Sequence, residues 1–125
     1  MKSDLIQGQI ADYLFENQNL LISYSKSVRR TVENIQENVD LVKRITNNKP
    51  VPLLIFLSPS PMPNKATREF SKQKLPEIYT AMAMVSNGNL GSFIMNLLFS
   101  FQKPPIPMKS FSNEKEARIW LENFI

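Results

Sequence analysis

Apolar positions crowd most densely at Leu53-Leu54-Ile55-Phe56-Leu57, entered through Lys49-Pro50-Val51-Pro52 and left through Ser58-Pro59-Ser60-Pro61. An apolar run that short, bounded by turn residues, predicts a strand over Val51 to Leu57 that is buried on both faces. Such strands sit inside parallel sheets covered by helices. Val51 to Leu57 is therefore expected to have a neighbour on each edge. Upstream, Ile10 to Phe15 and Leu20 to Ser25 predict a hairpin around the turn Glu16-Asn17-Gln18-Asn19. Residues before about Gly8 are expected to fray. Val28, Val32, Ile35, Val39, Val42 and Thr46 follow a 4-3-4-3-4 spacing, widened by Leu41 and Ile45. That stripe predicts a helix from about Ser27 to Asn47. Arg29–Glu33 and Asp40–Arg44 lie on its solvated side at i,i+4.

Beyond the central strand, the prolines of Ser58 to Asn64 forbid regular pairing. A helix from about Asn64 to Lys74 follows, with Ala66 and Phe70 inward and Pro76 interrupting it or lying in the turn after it. Thr80 to Ser86 predicts a second buried strand, and Asn87-Gly88-Asn89 a turn. Leu90 to Gln102 predicts the most apolar helix. Ile106 to Phe111 predicts a short strand. The last helix opens at Ser112 or Asn113, where Asn113 and Glu116 have capping-box spacing. Ala117, Trp120, Leu121 and Phe124 form its inner face, with Glu114–Arg118 and Arg118–Glu122 outside. A hairpin feeding alternating strands and helices predicts one α/β domain over residues 1–125. Its sheet should be mostly parallel, with helices on both faces.

Composition narrows the chemistry. The 125 residues include no cysteine and no histidine. Disulfides, thiol nucleophiles and serine–histidine triads are thereby excluded, and zinc, haem and iron–sulfur sites lose their usual ligands. No catalytic residue, metal site or cofactor is predicted. The net charge of +4 is modest. There is no apolar run of the roughly 18 residues that a membrane helix needs. The start, Met1-Lys2-Ser3-Asp4-Leu5, has no apolar h-region. A cytoplasmic protein is expected.

Three constellations remain. Lys65, Arg68 and Lys72 share one helical face, with Lys74 nearby, and form a weak basic face. No nucleic-acid motif accompanies them, so nucleic acid is not an expected partner. Gly88-Asn89-Leu90-Gly91 lacks the full spacing of a nucleotide fingerprint and reads as an ordinary turn. Within the apolar helix, Ser92, Asn96 and Ser100 make a narrow polar stripe, and Leu90, Ile94, Leu98 and Phe101 lie opposite. Phe93 and Phe99 flank Asn96 at about 60° on either side, with Met95 and Leu97 at about 100°. Phe93, Met95, Leu97 and Phe99 are the expected partner or ligand surface.

The strand Val51 to Leu57, the strand Ala81-Met82-Ala83-Met84-Val85 and the ending Pro107-Met108-Lys109-Ser110-Phe111-Ser112-Asn113-Glu114-Lys115-Glu116-Ala117-Arg118-Ile119-Trp120-Leu121 together resemble the STAS domains. These have the SpoIIAA-like fold of anti-sigma-factor antagonists. The likeness is closer to small bacterial STAS-like proteins of unassigned function. The resemblance implies a SpoIIAA-like fold and a regulatory serine where the second helix begins. Ser58 and Ser60 are the candidates here, but the Asp and Gly of the switch context are absent and three prolines stand instead. No phosphorylation is therefore expected. The functional expectation is a non-enzymatic interaction or regulatory module that contacts a protein partner or itself. The alternative is a carrier of an apolar small molecule or a membrane-associated lipid-binding protein. An uncharged apolar cleft beneath the apolar helix would favour the carrier, and a cleft with converging carboxylates and a shifted pKa an enzyme.

Overall fold

The computed structural model describes residues 5–86 and 104–125. Six strands form one sheet in sequential order: β1 (Ile6–Gln7), β2 (Ala11–Glu16), β3 (Leu20–Ser25), β4 (Val51–Phe56), β5 (Tyr79–Val85) and β6 (Met108–Phe111). β1, β2 and β3 pair antiparallel, and β3 to β6 pair parallel. Helices α1 (Val32–Ile45) and α2 (Lys65–Ile78) follow β3 and β4. Both cover the same face, as right-handed crossovers between successively placed parallel strands require. Helix α3 (Glu114–Leu121), continued by a 3₁₀ turn at Glu122–Phe124, covers the other face.

β4 holds the expected place, paired with β3 on one edge and β5 on the other. Its alternation splits two cores. Val51, Leu53 and the half-buried Ile55 join Tyr13, Leu21, Val39, Val42, Ile78 and Met84 beneath α1 and α2. Leu54 and Phe56 join Leu20, Ile22, Ala81, Ala83, Ala117 and Leu121 beneath α3. Pro52 stands inside this interior strand because the ladder skips there. Val51 faces Tyr79, Pro52 faces Ala81, and pairing with β3 starts only at Leu53. A bulge is one of the few strand positions that tolerates the missing N–H of proline.

Several boundaries differ from the sequence pattern. α1 begins at Val32, not near Ser27. Thr31 and Asn34 exchange the reciprocal bonds of a capping box, at 3.1 and 2.8 Å. The Arg30 guanidinium donates to the carbonyls of Lys26 (2.7 Å) and Val28 (2.6 Å), which holds that segment out of the helix. Val28, counted in the stripe, is exposed. At the far end Asn47 and Asn48 take left-handed φ of 56° and 64°, a conformation that asparagine tolerates best among residues with a Cβ. Glu16 pairs with Leu20, so three residues, Asn17 to Asn19, connect the strands; Asn17 and Gln18 take positive φ, and the Asn19 N–H closes the turn on the Glu16 carbonyl at 3.1 Å.

Ile6 and Gln7, placed by the pattern in a frayed end, pair with Tyr13 and Asp12. Gly8 follows in a close approach: a Cβ there would lie 2.7 Å from the Ala11 carbonyl oxygen and 2.8 Å from Leu41 Cδ2. α2 runs through Pro76 to Ile78 instead of ending at Lys74, and the Tyr79 N–H closes it on the Leu75 carbonyl. Its inward row is Thr67, Ser71, Leu75 and Ile78, an i, i+4, i+8, i+11 series. Ala66 is exposed, and Phe70 is half-buried with the Lys74 ammonium 5.5 Å from its ring centre. Helix α3 opens as its spacing predicts, the Asn113 side chain accepting from the Glu116 N–H at 2.9 Å. Arg118 pairs with Glu114 and with Glu16 of β2, both at 2.7 Å, and not with Glu122.

Candidate functional site

Beneath α1 and α2 the sheet does not fill its own face. A cleft of about 220 Å³ runs there, walled by Val39 and Ile35 of α1, Leu75 of α2, and Leu53, Ile55, Met82 and Met108 of the sheet. The reason lies in the residue sizes. Ser23 on β3 and Ser71 on α2 are small where the neighbours are long. The volume exceeds the roughly 150 Å³ apolar cavity that accommodates benzene. It falls below the several hundred Å³ of a drug-sized site.

One wall is polar. The Tyr13 hydroxyl donates to Asn38 Oδ1 at 2.6 Å. Tyr79, at the start of β5, joins this pair, and Ser23 bonds with Tyr13. Both tyrosines are almost fully enclosed, at 2% and 4% exposure. Burial raises the Tyr13 pKa, against hydrogen bonding with Tyr79, Asn38 and Ser23, which lowers it. Burial raises Tyr79 further, reinforced by the charge Tyr13 would carry. Both hydroxyls are therefore neutral hydrogen-bonding groups at ordinary pH. A tyrosine general base would need the opposite shift.

The mouth opens toward the carboxyl ends of β3 and β4, the usual ligand end of open α/β sheets. Arg30, Ser60, Pro61, Met62, Pro63 and Arg68 form its rim, and among the described residues no aspartate or glutamate lines the cleft. Arg30 is clamped by neutral acceptors, adding Ser25 Oγ at 2.8 Å and the Ile10 carbonyl at 3.2 Å to the two in its own loop. Its pKa is lowered by burial, with Tyr13 opposing. Arg68 donates to the Pro63 carbonyl at 2.6 Å, and Arg29 to the adjacent Met62 carbonyl at 3.2 Å.

The residues singled out by sequence are dispersed by the fold. Ser58 donates to the Ser25 carbonyl at 2.7 Å and ties the loop to the end of β3. Ser60 is half-buried on the cleft rim. Of the basic face, only Arg68 (with the nearby Lys74) lines the cleft, while Lys65 is exposed and Lys72 half-buried. Phe93, Met95, Leu97 and Phe99, with the Gly88–Gly91 turn, lie outside the described residues. Among the described residues no acidic cluster has the makings of a metal site. No helix among them is long and apolar enough to cross a membrane. The Tyr13–Asn38–Tyr79 group escaped the sequence reading. Its members sit on three elements, and nothing short of the sheet order brings them together. A serine inside the apolar run Leu20 to Ser23 was the one available hint.

This architecture is the SpoIIAA-like fold. It resembles the crystal structure of an uncharacterized protein of the DUF3478 family with a SpoIIAA-like fold from Shewanella loihica PV-4. The likeness has a TM-score of 0.55 at 16% identity, over 94% of this chain and 90% of that one. The chain belongs to the family described as domain of unknown function DUF7793, whose model matches residues 13–125. No curated protein matches it.

Proposed function

We propose that this domain is a non-enzymatic regulatory or carrier module that takes a small apolar molecule into the cleft between α1, α2 and the sheet. The observation that carries the reading is the cleft itself: apolar walls, a neutral polar cluster on one side, and no carboxylate among the described residues. Small-molecule sites commonly join such walls to a few fixed polar groups. The non-enzymatic part is supported by the absence of histidine and cysteine and by the two tyrosines held neutral. The test is native mass spectrometry of freshly purified protein, followed by titration with 1-octanol while the methyl resonances of Met82, Met108 and Leu53 are followed. A copurified apolar molecule, or saturable shifts confined to the cleft methyls, is expected. If nothing copurifies and the methyls stay put, the chain fills the space itself and the reading fails.

Contact with a protein partner or a second copy through Phe93, Met95, Leu97 and Phe99 stands beside this as a separate proposal. It rests on the narrow polar stripe of that segment. Light scattering should give a larger particle for the parent than for the F93S/F99S double variant at matched concentration. Equal sizes would dismiss self-association.

A further inference from the structure

The mouth of the cleft has a charge that nothing among the described residues answers. The loop Ser25–Thr31 carries Lys26, Arg29 and Arg30, and the stretch Leu57–Arg68 carries Lys65 and Arg68; neither holds an acidic residue. Lys26 is neutralised by Asp12 at 3.2 Å. Neither Arg30 nor Arg68 has a carboxylate partner among the described residues. Residues 87–103 contain no aspartate or glutamate either. A half-buried cation without a counter-ion is costly unless a partner supplies the missing charge.

The two guanidiniums differ in what they have left to give. A guanidinium has five N–H donors. Arg30 spends four bonds on the carbonyls of Lys26, Val28 and Ile10 and on Ser25 Oγ, so it contributes field more than contact. Among the described residues Arg68 donates to the Pro63 carbonyl alone. The rest of its fork stays available at the rim, the arrangement suited to a carboxylate or phosphate.

We propose that Arg68, in the field of Arg30, receives the anionic head of a small single-tailed amphiphile whose apolar part occupies the cleft, an inference that rests on the cleft being a ligand site. The head is a carboxylate or a phosphate. The volume of about 220 Å³ limits the tail to a short chain or a single substituted ring.

The test uses four probes of one chain length: octanoate, octyl phosphate, 1-octanol and octylammonium. Their dissociation constants are measured by calorimetry on the full chain at pH 7. At least one anion should bind about tenfold tighter than the alcohol, the yield of one charge-assisted hydrogen bond, and the ammonium should bind worst. Comparing octanoate with octyl phosphate tells which head is meant. Arg68→Gln should erase the anion preference and leave octanol within about twofold of the parent, while Arg44→Gln on the exposed end of α1 changes neither. Circular dichroism and Tm check that R68Q is folded. Should it not fold, Arg68→Lys and a salt series replace it, with salt expected to weaken the anions and spare the alcohol. Octanol binding with no anion preference overturns the head assignment and leaves the cleft reading intact. Equal weakening of octanol and anions by R68Q also overturns it, because Arg68 would then only shape the loop. Failure of every probe overturns both.

Discussion

Truncating either of two neighbouring leucines should destabilise the domain by about 2–5 kcal/mol, the usual range for a buried Leu→Ala change. A small apolar molecule should stabilise one of the two variants more than the other. Leu53 and Leu54 are consecutive on β4 and are 1% and 0% exposed. They point to opposite faces because strand side chains alternate. Leu53→Ala enlarges the cleft beneath α1 and α2. Leu54→Ala opens a closed void beneath α3, against Ala81, Ala83, Ala117 and Leu121. With total stability of about 5–15 kcal/mol for a typical domain, either loss is a large share. Urea unfolding with and without saturating 1-octanol measures both effects. Octanol should raise the midpoint of L53A more than that of L54A. Equal gains would mean that octanol binds somewhere other than the cleft, and would remove the cleft as the site.

The same alternation explains why so much of the sheet was legible. A strand buried on both faces has few polar positions to blur its ends, so Val51 to Leu57 exceeds β4 by only one residue; Leu20 to Ser25 matches β3, although Ser23, Tyr24 and Ser25 close it. The cap of α3 was equally readable because Asn113 and Glu116 act within one turn. What failed depended on distant partners. The start of α1 is set partly by Arg30 reaching back to the Ile10 carbonyl across the hairpin, and a 4-3-4 stripe carries no sign of that. Pro76 reads locally as a stop, yet α2 passes through it, packed on the sheet by Leu75 and Ile78 on either side. Ile6–Gln7 became a strand because β2 offers an edge, again a long-range fact.

The candidate site was less legible than the fold for the same reason. Arg68 was visible as a member of a basic helical face, but the periodicity grouped it with Lys65 and Lys72, which do not line the cleft. Its significance comes from the proline loop that folds over it and from Arg29 bonding the next carbonyl along. Ser58, read together with Ser60 as the nearest thing to a switch serine, has its hydroxyl turned to the end of β3. A phosphate there would have to break that bond.

Alkaline titration should expose the polar wall of the cleft. Tyr13 and Tyr79 both have folded-state pKa values above the ordinary 10.0, mainly through burial. For an acid the sign follows from proton counting. Above pH 10 the unfolded chain has released both protons while the folded chain still holds them. Stability is therefore fully present below pH 10 and falls as pH rises through the window between the unfolded and folded values. Each tyrosine contributes a slope of about 1.4 kcal/mol per pH unit, and the two together about 2.7, until one ionises in the folded state. The first tyrosinate would hold the second proton more tightly still, since the two sites interact. Tyr79→Phe should lower the slope by about half, because it removes one titrating group from both states. Tyr13→Phe should do the same and should also lose stability at pH 7, about 1 kcal/mol for the bond to Asn38. The Lys and Arg contributions are common to parent and variants, so they drop out of the comparison. Urea unfolding free energies at half-unit steps from pH 9 upward, with tyrosinate absorbance of the native protein recorded alongside, give the slopes. A Y79F slope equal to the parent's would mean that Tyr79 ionises freely while the chain is folded. Its hydroxyl would then be in water, and the enclosed polar wall between β2, β5 and α1 would not exist.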